Sequence, residues 1–217
     1  LYMAAPVYAI FASITGDNAY RDFMDREFWK TVAVLYDKEE KLFHQEEGTK
    51  QLREPNGEKM FWGRGNGWVI GALSLVMDLL PDDYPSLPRY QDLYREMTER
   101  IVSLQQESGY WHSSLLDPVS YPDPETSATG FFAFGLWWGI NNGLLSQEDY
   151  LVPAVKAWEA LVRAVHPNGM PGYVQAIGGR PALEIPADAS EVYGTGAFML
   201  TGLEICKYLE AGGKADF

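Results

Sequence analysis

The chain has 217 residues, enough for one substantial core, and no Gly/Ser/Pro-rich or charged low-complexity linker divides it, so residues 1–217 read as a single domain. Hydrophobic residues make up 47% and aromatics 14%, which excludes a disordered chain. A net charge of −13 opposes binding to nucleic acid, where Lys and Arg must neutralise phosphates, and no run reaches the roughly 18 apolar residues of a membrane span.

Apolar periodicity predicts helices at about 2–15, 19–36, 66–80, 88–106, 128–142, 147–165 and 194–209. The first lies in Leu1-Tyr-Met-Ala-Ala-Pro-Val-Tyr-Ala-Ile-Phe11, where no capping residue or polar approach precedes the apolar element. This predicts that the sequence is the C-terminal part of a longer protein. Asp17 stands ready to cap the second helix, whose Tyr20, Phe23, Met24 and Phe28 recur at helical spacing. His44 follows where this helix gives way to a long loop, and it reads either as a binding or proton-transfer residue or as a structural histidine.

The segment Phe61-Trp-Gly-Arg-Gly-Asn-Gly-Trp68 is the most specific in the chain. Its three glycines permit close approach of backbone to a ligand, and the last opens a helix whose N–H groups would face it. Arg64 has two readings: a planar fork for a carboxylate between Trp62 and Trp68, or the partner of a structural Asp or Glu. A second long loop, Leu115 to Ser127, brings Asp117, Asp123 and Glu125 up to a Gly/Phe-rich helix, and Glu125 reads more readily as its cap than as a ligand contact. Ser146 is placed to cap the sixth helix. The seventh carries Cys206, the sole cysteine, in a pattern that predicts a small buried hydrophobe. No set of His, Cys and carboxylates stands at metal-ligand spacing, so neither metal nor cofactor is expected.

Three of the helices open alike: Gly67-Trp-Val-Ile-Gly-Ala-Leu73, Gly130-Phe-Phe-Ala-Phe-Gly-Leu136 and Gly196-Ala-Phe-Met-Leu-Thr-Gly-Leu203, at intervals of 63 and 66 residues. A further step back reaches Ala4. This is a repeat, with buried Gly/aromatic helices alternating with amphipathic ones as inner and outer layers of stacked αα-hairpins. Long loops at 42–65, 108–129 and 167–193 are expected to gather on one face, where something is bound.

Leu1-Tyr-Met-Ala-Ala-Pro6, Trp62-Gly-Arg-Gly-Asn-Gly-Trp68, Leu116-Asp-Pro with Tyr121-Pro and Glu125-Thr-Ser, and Glu191-Val-Tyr-Gly-Thr-Gly196 together resemble the unsaturated rhamnogalacturonyl hydrolases of glycoside hydrolase family 105, close relatives of family 88. The resemblance runs the whole chain. It implies an all-α, (α/α)6-barrel fold of the six-hairpin glycosidase type, here an incomplete toroid of about four hairpins. It also implies hydration of an enol ether on oligosaccharides ending in a 4,5-unsaturated galacturonyl residue, with an Asp lying just before Leu1 as the acid and no catalytic residue within these 217.

Trp62, Arg64 and Trp68 match the family's substrate-pocket positions and His44 its pocket histidine, although Phe-His-Gln here lacks the usual His-Gly. The implied partner is an oligosaccharide with an unsaturated uronate. Incomplete closure would leave apolar flanks exposed and open to homo-oligomerisation. Outside that resemblance stand a noncatalytic carbohydrate-binding toroid, or another six-hairpin glycosidase or polysaccharide lyase using Tyr193 and His112 in one cavity.

Overall fold

The structure, a computed structural model, describes residues 1–215 and 217. Among them lie α1 (Ala5–Thr15), α2 (Asn18–Leu35), α3 (Gly63–Met77), α4 (Leu87–Ser103), α5 (Thr126–Asn141), α6 (Gln147–Arg163) and α7 (Val192–Glu210), one for each predicted helix. The sheet consists of a two-stranded antiparallel ribbon, β1 (Tyr36–Asp37) paired with β2 (Leu42–Phe43).

The helices form two layers. α1, α3, α5 and α7 pack side by side in that order, while α2, α4 and α6 back them from outside. Composition explains the division: α5 has no charged residue and is buried from Thr126 to Ile140, so it is stable only with neighbours on every side. α4 instead buries Tyr90, Leu93, Tyr94, Met97 and Ile101 on one face and turns its Arg and Glu residues outward. Three complete hairpins and the first helix of a fourth result, against about four expected.

Each inner helix starts one turn before the expected glycine, at Gly63, Thr126 and Val192 instead of Gly67, Gly130 and Gly196. The polar approach in each repeat is itself the first helical turn, so the intervals of 63 and 66 residues are preserved. Glycines within the runs set the contact between helices. A Cβ added at Gly130 would stand 2.8 Å from Ala197 Cβ, and one at Gly135 would collide with Ile70, so neither position has room for a side chain.

The expected caps are in place. Asp17 Oδ1 accepts the Ala19 N–H at 2.9 Å, and Ser146 Oγ accepts that of Asp149 at 3.2 Å. Cys206 corrects the sequence reading, because it is exposed. α7 buries Ala197, Thr201, Glu204, Ile205 and Tyr208, and position 206 belongs to the opposite stripe with Val192, Met199 and Leu203. Its apolar pattern is continuous around the helix, but only one side meets α5. α1 at the other end is likewise open, along Val7, Ile10, Phe11 and Ile14.

The three long loops share one face, as predicted. Isolated bridges join Trp62 to Ser114 and His112 to Pro124, and Ser113 Oγ donates to Ala182 O at 2.8 Å. Glu54, 4% exposed, accepts hydrogen bonds from Ser114 Oγ and Tyr121 OH at 2.6 and 2.8 Å and ties the first loop to the second.

Candidate functional site

The first turns of α3, α5 and α7 converge on the loop segment at Gln175. Glu125, fully buried, caps α5 through the N–H groups of Ser127 and Ala128, at 3.2 and 2.6 Å, and also accepts that of Gln175 at 3.1 Å. Arg64, 2% exposed, donates from Nη1 to Gln175 O at 2.6 Å and from Nη2 to Ala176 O at 2.9 Å. Nη1 lies 4.0 Å from Glu125 Oε1. Cζ lies 4.6 Å from the ring centroids of both Trp62 and Tyr193, so the guanidinium is held between two aromatic faces.

A buried guanidinium needs its donors satisfied. Here the Gln175 and Ala176 carbonyls accept from Nη1 and Nη2, and the Glu125 carboxylate adds an opposite charge 4.0 Å away without a hydrogen bond. Tyr193 OH donates to the same Gln175 carbonyl at 2.6 Å. The Gln175 side chain accepts from Trp62 Nε1 at 2.9 Å and donates from Nε2 to Arg180 O at 2.7 Å.

Beside this latch, between residues 1–3, α2, α3 and the β2 loop, lies a cavity of about 310 Å³. His44, Trp62 and Trp68 line it, joined by Tyr2, Gln45 and Gly178; Arg64 stands behind the Trp62 wall instead of in the lining. Gly65 forms part of the floor, and a Cβ there would stand 2.9 Å from both Gln45 Oε1 and Trp62 Cε3. The glycine keeps the cavity open. Trp68 is braced by Tyr2 and Phe131, with ring centroids at 4.6 and 4.3 Å.

His44 follows β2 and is buried against Phe61, with ring centroids 4.6 Å apart. Its Nε2 lies 3.5 Å from Asp37 Oδ2, and its Nδ1 has no protein partner. Burial lowers the His44 pKa, opposed by Asp37. Burial would raise Asp37, but Lys59 Nζ at 2.9 Å and the N–H groups of Glu40 and Glu39 hold its carboxyl below the ordinary value. The imidazole is therefore neutral at pH 7, suited to exchange a hydrogen bond with a hydroxyl.

Among the described residues no carboxylate lines the cavity. Asp117 accepts the N–H groups of Ser120 and Asn56, each at 3.1 Å, and Asp123 that of Ile185 at 2.7 Å; both fix loops. Tyr193 and His112 do not meet in it either, since His112 Nδ1 contacts Asp123 O at 2.8 Å. Sequence reasoning missed Tyr2, hidden in an apolar run, and Gln175, which lies in a loop without any motif. Gln45 was signalled only by adjacency to His44.

Residues 1–209 match the family described as Glycosyl Hydrolase Family 88. The chain is 44% identical over 216 residues to an unsaturated 3S-rhamnoglycuronyl hydrolase of Formosa agariphila, covering 97% of this chain and 57% of that protein. Among solved structures, a glycosyl hydrolase family 88 protein from Bacteroides vulgatus superposes with a TM-score of 0.92 at 33% identity, over 95% of this chain and 61% of that one. Another, titled a polysaccharide lyase, also gives 0.92 at 34% identity, over 100% and 62%.

The chain thus spans little more than half the length of these relatives. The family match covers residues 1–209, nearly the whole chain. The chain belongs to Glycosyl Hydrolase Family 88.

Proposed function

We propose that the protein carrying this chain hydrolyses oligosaccharides ending in a 4,5-unsaturated uronate, by hydration of the enol ether. The cavity carries the reading: Trp62 and Trp68 present apolar faces to a pyranose ring, and neutral His44 offers a hydrogen bond to one of its hydroxyls. The relative named an unsaturated rhamnoglycuronyl hydrolase supports the substrate class.

In the proposed reaction a carboxylic acid protonates C4, and the ring oxygen shares the charge developing at C5. Water then bonds to C5 and gives up its proton to the carboxylate that protonation of C4 left behind. The resulting hemiketal opens to a ketone, and the hemiacetal left at C1 releases the remaining sugar. The acid in this reaction comes from just before Leu1, which lines the cavity with Tyr2 and Met3. His44, Trp62 and Trp68 bind and orient the ring. Arg64 acts as a positioning residue, holding Trp62 from behind and the Gln175 loop in place.

The test follows loss of the conjugated ultraviolet chromophore with protein expressed from its complete gene. His44→Ala and Trp68→Ala should each lower kcat/KM by about ten- to a thousandfold. Wild-type kinetics in both would remove the cavity from the reaction. A lyase instead creates that chromophore, so an increase in absorbance on an intact uronate polymer would replace this reading.

A further inference from the structure

The ribbon that leads to His44 carries a second residue toward it. Register does this: Tyr36 pairs with Phe43 and Asp37 with Leu42, and beyond them the His44 N–H donates to Leu35 O at 3.0 Å. Side chains alternate between the two faces of a ribbon, so Asp37 and His44 fall on one face as diagonal neighbours. Tyr36 packs on Phe43 across the other, with ring centroids 5.1 Å apart. A slip of one residue would part Asp37 from His44. Three contacts to α4 oppose such a slip: Tyr36 OH donates to Glu96 at 2.8 Å, Lys41 Nζ to Glu99 at 2.7 Å and Arg100 Nη2 to Glu40 at 2.6 Å.

Asp37 is fixed as an acceptor. Its Oδ1 accepts the N–H groups of Glu39 and Glu40 at 3.0 and 3.1 Å, and its Oδ2 accepts from Lys59 Nζ at 2.9 Å while standing 3.5 Å from His44 Nε2. That last distance exceeds a good hydrogen bond, so the carboxylate acts on the ring by its charge. Lys59 does not cancel this charge, because its ammonium is shared with Glu39 at 2.8 Å, two carboxylates to one cation. The other ring nitrogen has no such neighbour. Nδ1 is buried without a hydrogen bond, and the Phe61 ring lies against the imidazole. A proton on Nδ1 would be a buried donor with no acceptor and would turn the Nε2 lone pair toward the carboxylate. A proton on Nε2 avoids both costs and leaves only an unused lone pair at Nδ1.

We propose that Asp37 is a positioning residue that holds His44 as the Nε2–H tautomer, so that the histidine meets a ligand in the cavity as a hydrogen-bond donor. Nδ1 is sealed off, so Nε2 is the ring nitrogen left for that contact. Its partner is an acceptor oxygen of the sugar, and the ring takes no proton from it. The tautomer follows from geometry alone, and its effect on turnover rests on the function proposed above.

The tautomer can be read directly in protein labelled with nitrogen-15 histidine and expressed from the complete gene. Two-bond proton–nitrogen correlation spectra at about pH 8, well above the ordinary histidine value, distinguish a protonated from an unprotonated ring nitrogen. The His44 signals are those absent from His44→Ala. The wild type should carry the proton on Nε2. Asp37→Asn has a single oxygen for the turn N–H groups on one side and for Lys59 and His44 on the other, so its amide donors turn toward Nε2 in part of the molecules and Nδ1–H should appear. Asp37→Ser keeps an acceptor for the turn but no charge beside the ring, and should show a similar mixture. Lys59→Met leaves the carboxylate in place and should leave the tautomer unchanged.

Kinetics separate positioning from scaffolding. Asp37→Asn should lower kcat/KM on an unsaturated disaccharide about five- to a hundredfold, the worth of one misdirected hydrogen bond. In a His44→Ala background the same substitution should cost little more, because its effect passes through the ring. Losses that add, a wild-type ring protonated on Nδ1, a spectrum unchanged in both Asp37 variants, or an equal shift in Lys59→Met would each overturn the proposal. If no disaccharide is turned over, the proposed reaction fails, while the spectra still decide whether Asp37 sets the tautomer.

Discussion

Arg64 and His44 show how burial changes what a charged or titratable side chain does. Arg64 donates to two carbonyls of one loop and packs between Trp62 and Tyr193. A lysine keeps the charge but makes one of those contacts at a time. Arg64→Lys is expected to cost about 1–3 kcal/mol, lowering the thermal midpoint by roughly 2–10 °C, with fluorescence of Trp62 changing as its backing loosens. Differential scanning calorimetry with tryptophan emission checks this; an unchanged midpoint would release Arg64 from the latch.

For His44 the sign follows from its lowered folded-state pKa. The unfolded chain binds a proton first as pH falls, so the group's contribution is fully present above the unfolded value near 6.5 and is lost below it. Asp37, also lowered, titrates in the same direction at more acid pH. Between pH 7 and 5 the wild type should therefore lose more stability than His44→Gln, measured by urea denaturation at each pH. A parallel loss in the two proteins would contradict the assignment.

At the scale of elements, the glycines of the inner helices differ in the room around them, and substitution separates them. Gly135 faces Ile70 with no room for a Cβ, so Gly135→Ala should destabilise by about 1–3 kcal/mol through overpacking of α3 against α5. Gly196 on α7 has nothing within 4 Å of an added Cβ. Gly196→Ala should stabilise by up to about 1 kcal/mol, because alanine loses less entropy on entering a helix. Chemical denaturation of the two variants should move in opposite directions. One glycine of the inner layer is thus a packing requirement and another, in the next repeat unit, a replaceable residue.

At the scale of the whole molecule, the two end helices of the inner layer leave apolar stripes uncovered. Ile14 is 77% exposed on α1 and Met199 66% on α7, and an apolar groove of about 600 Å³ runs along α7 beside Trp68. The 217-residue chain by itself is expected to self-associate through these faces. Sedimentation velocity should show mass rising with concentration, and Phe11→Glu combined with Met199→Glu should restore the monomer. A concentration-independent monomer in the unaltered chain would refute this.

The sequence by itself determined the helices, their layering and the shared face of the long loops. Those features follow from local periodicity, caps and the Gly-led repeat, which act over one or two turns. It also marked His44, Trp62 and Trp68, which do line one cavity. The first-turn boundaries were displaced because a polar segment such as Glu125-Thr-Ser-Ala-Thr129 shows no apolar period, although it is capped and helical from Thr126. Only tertiary structure decided that Arg64 backs the Trp62 wall, that Cys206 faces outward and that Gln175 joins three helix starts. Each of those depends on contacts between segments distant in sequence, Gln175 standing 111 residues from Arg64. Periodicity shows which side of a helix is apolar, but only the neighbouring elements decide which apolar side is covered.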